Sequence, residues 1–235
     1  MASQGSARAE PSLLDIIQAN TRLDSVPLVP EIRIHQAAEP ISLWETTEVA
    51  TGRIGLDPPF WAFAWAGGRA LARYILDHPE VVRGRRAIDI ASGSGLVAIA
   101  AAMAGAAAVT AYDIDPLAVT AIGVNGEANG VVVGAMCADV LTEEGQPAPD
   151  ADLVLVADAF YESGLAARVT EFLEHARAGG AAVLAGDFGR RYLPREKLAP
   201  LQSYAVPGLS VLEGSDIKHT TIWTLRDASG GAVRR

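Results

Sequence analysis

A glycine turn flanked by acids is where the chemistry of this sequence begins. Arg86-Ala-Ile-Asp-Ile-Ala-Ser-Gly-Ser-Gly95 sets Gly93 and Gly95 after the apolar run Ala87–Ala91, and the wholly apolar Leu96–Ala104 follows. Glycine lets a backbone approach a ligand with no Cβ in the way. A turn of this kind ahead of a helix offers N–H groups to a nucleotide. A second apolar run, Val109–Tyr112, ends on Asp113, 18 positions after Gly95. Gly93-Ser-Gly-Leu-Val-Ala98 with that acid satisfies the dinucleotide pattern, so a nicotinamide cofactor stays open. Asp89 favours S-adenosylmethionine instead. A carboxylate just before the turn can meet a cationic amino-acid tail or organise the loop, and it has no purpose beside a pyrophosphate. Its bland alternative is to cap the helix or the loop.

Two further groupings could complete a site. The run Ala151–Ala157 delivers Asp158-Ala-Phe-Tyr161, an acid and an aromatic three residues apart at the end of a buried strand. In open α/β sheets ligands gather at that end; the bland alternative is a helix cap, from Asp158 or Ser163. Asp139, following Val131–Cys137, is a candidate for an adenine amino group or a solvated loop acid. Asp57-Pro-Pro-Phe-Trp-Ala-Phe-Ala-Trp-Ala-Gly-Gly68 concentrates aromatics in a chain only 6% aromatic. It can serve as a hydrophobic plug, or as an aromatic wall that attracts a desolvated cation by about 2 kcal/mol.

These groups need a sheet with helices on both faces to position them. Residues 1–10 are expected to be disordered, 11–56 to form an N-terminal extension, 57–225 the core, and 226–235 a flexible tail. Within the extension, Pro11–Asn20 reads as a helix, Val26–His35 as an edge strand because of its prolines, Pro40–Trp44 as a short partner strand and Glu45–Leu56 as loop. In the core, Gly67–Asp77 reads as a helix, and Asp115-Pro116 as an N-cap and first turn. The remaining expectations are a helix to Ala178, a strand Ala181–Gly186, a short helix Arg195–Ala205, and closing strands Ser210–Glu213 and Thr220–Leu225.

At 235 residues the chain has ample length for one buried core. A net charge of −9 argues against a nucleic-acid surface and for a partner that presents lysines. The single cysteine, Cys137, reads as core filler and fits a reducing compartment. The first ten residues lack the apolar stretch of a secretory signal. The apolar stretch Leu96–Tyr112 is broken by Gly105 and reads as helix, turn and strand rather than a membrane span. A cytoplasmic location follows. His35 has no second histidine spaced for a metal site, and no metal is expected.

Together these pieces resemble a seven-strand, class I methyltransferase: an α/β, Rossmann-like sheet whose last strand pair is antiparallel. Asp89-Ile-Ala-Ser-Gly-Ser-Gly95 is similar to that superfamily's first motif, with Ala91 where a glycine is usual. Asp158-Ala-Phe-Tyr161 resembles the acid-x-x-aromatic motif of small protein-lysine methyltransferases. With the Asp57–Gly68 stretch, Asp113-Ile-Asp-Pro116 and Gly186-Asp-Phe-Gly-Arg190, the chain resembles the electron transfer flavoprotein β-subunit lysine methyltransferases. That resemblance implies S-adenosylmethionine as donor, S-adenosylhomocysteine as product, and lysines of a folded protein as acceptor. The electron transfer flavoprotein β-subunit is the expected substrate, with a ribosomal protein as competitor and no nucleic-acid or membrane partner.

The donor is then expected against Trp65, Asp89, Ala91, Ser92, Gly93 and Gly95, with Asp113 on its ribose. Ile114, Asp139 and Ala157 complete that side. Neutralising a lysine of pKa about 10.4 at pH 7 costs roughly 4.6 kcal/mol, and a desolvating aromatic channel lowers that cost. Phe160, Tyr161 and Trp65 are expected to supply the channel, with Trp61 also toward the substrate. Asp158 and Tyr161 are the expected catalytic pair, with Asp158 accepting a hydrogen bond from the amine and aiming its lone pair.

Overall fold

Short runs of Val, Ile, Leu and Ala, too long for turns and apolar on both faces, pair side by side as buried parallel strands. The computed structural model of the chain describes residues 11–38, 40–51, 58–141, 151–208 and 217–226. In chain order these hold α1 (Leu13–Asn20), β1 (Arg22–Val26), β2 (Val29–Gln36), α2 (Pro40–Thr51), α3 (Ala66–Asp77), β3 (Arg86–Ile90), α4 (Leu96–Met103) and β4 (Ala108–Asp113). There follow α5 (Pro116–Ala128), β5 (Gly134–Cys137), β6 (Leu153–Ala157), α6 (Ser163–Ala178), β7 (Ala182–Asp187), β8 (Leu198–Pro207) and β9 (Ile217–Leu225).

β1 and β2 form a separate hairpin, and the other seven strands one sheet in the order β5-β4-β3-β6-β7-β9-β8. β5 to β7 are parallel, while β9 runs antiparallel to both β7 and β8. The chain winds outward from β3 to β5, then returns to lay β6 on the other side of β3. That reversal opens a crevice at the carboxyl ends of β3 and β6. Side chains alternate across the strands. Ala87, Leu153, Leu155 and Leu184 pack with α3, α4 and Ile122 of α5. Ile88, Ile90, Val154 and Val156 pack with α6 on the opposite face.

The hairpin is sewn to α5 by two asparagines. Asn129 accepts from the Arg33 N–H (2.9 Å) and donates to the Arg33 carbonyl. Asn125, fully buried, accepts from the His35 N–H and donates to the Ser94 carbonyl, both at 2.8 Å. One side chain thus joins the hairpin to the glycine turn.

Several expectations are corrected. Residues 40–51 are helical, not strand and loop, because Leu43 and Thr47, one turn apart, both turn inward and the Thr47 hydroxyl donates to the Leu43 carbonyl. Residues 198–207 form β8 rather than a helix. Pro200 disfavours a helix interior, and a bulge beside it lets the strand pair with β9. The edge strand of residues 26–35 is a hairpin whose turn falls at Pro27-Leu28. Cys137 is exposed, since β5 is the sheet edge. The expected strand at 210–213, the terminal segments and residues 142–150 lie outside the described residues. No helix among the described residues is long and apolar enough to cross a membrane.

Candidate active site

Where β3 ends, Ala91 adopts a left-handed backbone (φ 51°) and Gly93 another (φ 56°). Asp158, where β6 ends, does the same at φ 58°. Such conformations in non-glycine residues cost on the order of 1–3 kcal/mol and concentrate at functional sites. Between the two turns lies a cleft of about 630 Å³, within the range of small-molecule sites.

The β3–β4 wall carries acids held by nearby groups. Asp89, 1% exposed, accepts from Ser92 Oγ and from the Ala98 amide in the first turn of α4. Burial pushes its carboxyl up to about 7, against those hydrogen bonds. Asp89 therefore organises the loop and caps a helix that lacks a side-chain cap of its own. Asp113 accepts from the amides of Gly93 (2.8 Å) and Asp115 (3.0 Å), and burial raises its carboxyl too. Ala91, Ser92, Gly93 and Ile114 line this side, with Asp139 and Ala157 further along. Asp139 accepts from the Leu141 amide and pairs with Arg168. Gly95 does not line the cleft: a Cβ there would meet Ile122 at 3.1–3.3 Å, so this glycine serves the close packing of α4 on α5.

The β6–β7 wall is assembled from distant pieces. Asp158 accepts from the Gly68 amide at the N-terminus of α3 (2.8 Å) through Oδ2 and from Arg190 Nη1 through Oδ1. Its side chain is 10% exposed, and burial raises its carboxyl while the Arg190 guanidinium works in the other direction. Arg190 also bonds Asp187 Oδ2 at 2.9 Å and stacks 4.2 Å over the Phe188 ring. Asp187 in turn accepts from the amides of Gly189 and Arg190. Gly67 permits this arrangement, because a Cβ there would strike the Gly186 carbonyl and the Asp158 carboxyl. The helix following Asp158 is capped by Glu162, which accepts from the Gly164 and Leu165 amides, and not by Asp158 or Ser163.

Aromatic rings close the mouth, though not all of those expected. Tyr161 is 52% exposed with its ring 5.7 Å from that of Phe60, itself 42% exposed. Trp65 lies edge-on to Phe60 at 6.0 Å and donates to its carbonyl. Phe160 is fully buried against α6 and lines no part of the cleft, because the chain leaving the left-handed turn at Asp158 sends its ring back into the core. Trp61 is also buried, but it lines the cleft, with its Cα beside Gly93. Phe60, Gly67, Asp187 and Arg190 were not assigned roles from sequence. Their only signals were the aromatic–glycine stretch and Gly186-Asp-Phe-Gly-Arg190.

Known proteins give this geometry a family. The ribosomal protein L11 methyltransferase family model matches residues 70–188. The electron transfer flavoprotein beta subunit lysine methyltransferase of Xenopus laevis is 34% identical over 88% of this chain and 85% of its own length. The mouse protein of that name is 34% identical over 91% and 84%. Among solved structures, the ribosomal protein L11 methylase from Lactobacillus delbrueckii superposes with a TM-score of 0.50 at 18% identity, covering 70% of this chain and 81% of that one. This last likeness speaks to the fold alone. At one-third identity over nearly its whole length, the chain belongs to the electron transfer flavoprotein beta subunit lysine methyltransferase family.

Proposed function

We propose that the protein methylates lysine side chains of the electron transfer flavoprotein β-subunit, with S-adenosylmethionine as donor. The observation that carries this reading is one cleft with two unlike walls: a glycine turn edged by Asp89 and Asp113, and Asp158 with Tyr161 beneath an aromatic mouth. The donor set fits such a ligand, since a sulfonium and an α-ammonium are cations and this wall offers carboxylates beside aromatic faces. Ala91, Ser92 and Gly93 would hold the amino-acid portion, with Asp113 at the ribose, Ile114 and Asp139 at the base, and Trp65 and Ala157 alongside. When bound, S-adenosylmethionine supplies an electrophilic methyl group and leaves as S-adenosylhomocysteine.

The chain's own residues prepare the acceptor. Phe60 and Tyr161 strip water from the lysine stem as it enters, which lowers the cost of presenting a neutral amine. Asp158 accepts a hydrogen bond from that amine on a lone pair left free by Gly68 and Arg190, and so fixes its direction. Alignment of this kind supplies several kcal/mol. The displaced proton goes to water, because a carboxylate beside the amine is too weak a base to keep it.

The β-subunit is favoured because full-length relatives carry that name, whereas the ribosomal model matches only residues 70–188. The test is incubation with radiolabelled donor and, separately, purified β-subunit and ribosomal protein. Label on a β-subunit lysine is expected, and Asp158→Ala should abolish it while calorimetry still finds donor binding. Label on the ribosomal protein alone transfers the assignment to that second reading. An Asp158→Ala variant working at the parent rate removes the catalytic assignment.

A further inference from the structure

The acceptor reading leaves one difficulty, and Arg190 answers it. Asp158 is almost wholly enclosed, and an enclosed carboxylate with no counter-charge takes up a proton. Once protonated it no longer offers the amine the same acceptor. An ionised carboxylate standing alone has the opposite fault, since it holds a lysine as ammonium. A fixed cation at the same place corrects both: it keeps the carboxylate charged and cancels part of its pull on an entering ammonium.

Arg190 is such a cation. Its guanidinium borders the cleft and touches both Asp158 and Asp187 through Nη1 while lying on the Phe188 ring. Its backbone is fixed as well, by the bond from its own N–H to Asp187 Oδ1 (2.7 Å). Gly189 makes the approach to it at φ 92°, where a Cβ would run into the Arg195 guanidinium. The Trp223 indole donates to the Asp187 carbonyl at 3.5 Å. A loop held at so many points delivers one charge to one place.

We propose that Arg190 is a positioning residue for methyl transfer, which holds Asp158 ionised and aimed at the substrate amine and takes no part in donor binding. This rests on the function proposed above and adds to it the group that sets the state of its orienting acid.

The test uses the full chain with Arg190→Met, Arg190→Lys and the double variant Asp158→Asn/Arg190→Met. In Arg190→Met, donor affinity should stay within about twofold while kcat falls about 100-fold, the scale of a misplaced reacting group. KM for the protein substrate should barely move. The ratio of variant to parent rate, which cancels the lysine's own titration, should climb as pH rises and the unsupported carboxylate ionises. Arg190→Lys should recover most of the loss. A ratio flat with pH, or an effect confined to KM, overturns the proposal.

A second measurement is independent of activity. Adding Asp158→Asn to Arg190→Met should raise Tm at pH 7 above that of Arg190→Met alone, because it removes a carboxylate left buried without its partner. A lower Tm overturns the pairing. If the parent transfers no methyl group to any protein, the proposed function fails, and the Tm comparison alone decides whether Arg190 governs the charge of Asp158.

Discussion

Asp113, on one wall of the cleft, is held by two main-chain amides; Asp158, on the other, is held by one amide and a guanidinium 32 residues away. The first wall owes its shape to a turn and its flanking strands, so its acids stay put as long as the turn exists. The second depends on α3 resting on β7 and on the loop after β7 folding back. Main-chain support gives a generic ligand shelf, whereas support from distant side chains allows the chemistry opposite it to be adjusted. The contrast teaches that the two walls of one cleft can be altered separately.

Two phenylalanines near the second wall put that contrast to its largest test. Phe160→Ala should cost about 3–5 kcal/mol of stability, as loss of a fully buried ring does, with KM for the protein substrate unchanged in whatever remains folded. Phe60→Ala should leave the melting temperature nearly unaltered but weaken substrate capture, by about 1 kcal/mol for the lost ring pair. Thermal melts beside steady-state kinetics separate them, and exchanged behaviour would place the substrate channel elsewhere. Losses of stability smaller than that of Phe160→Ala are expected from the glycines. Gly67→Ala drives a Cβ into the Gly186 carbonyl and should cost about 1–3 kcal/mol together with methyl transfer. Gly93→Ala, whose Cβ would meet only Trp61 Cα at 3.7 Å, should cost about 1 kcal/mol for its left-handed backbone. Equal melting losses would erase the difference between the walls.

A last test of the first wall concerns pH. Burial lifts the Asp89 carboxyl to about 7, so the folded protein holds a proton there that the unfolded chain, with an ordinary carboxylate, releases near pH 4. Stability from this group is complete below that value and is lost as pH rises through 7. Asparagine does not titrate. The Tm of Asp89→Asn minus that of the parent should therefore increase from pH 5 to pH 8, and a difference that falls over this range contradicts the assignment.

What could be read in advance follows the same division. Asp89, Gly93 and Asp113 stood out because their roles depend on neighbours within a strand, a turn and the next strand. Gly95 shares in that turn with a left-handed backbone (φ 80°), but its contact with Ile122, on a different helix, leaves no trace in the spacing. Phe160 and Tyr161 are adjacent in sequence, yet one is core and the other rim. The φ of 58° at Asp158 decides which, and no spacing rule carries it. The motif around Arg190 was visible as a pattern, but a guanidinium reaching from the loop after β7 to the end of β6 is a property of the packed sheet. In β8 a local inclination to helix yields to pairing with β9.

Asn125 ties the hairpin to the glycine turn through one buried amide group. The ribbon ahead of the sheet and the glycine turn at the cleft are therefore mechanically in series. Prising away Arg22–Gln36, by a protease or by a partner that grips it, removes the His35 N–H that steadies the Asn125 amide and so loosens its hold on the Ser94 carbonyl, next to Gly93. A strain on the hairpin is thus felt at the rim of a cleft that none of its residues lines.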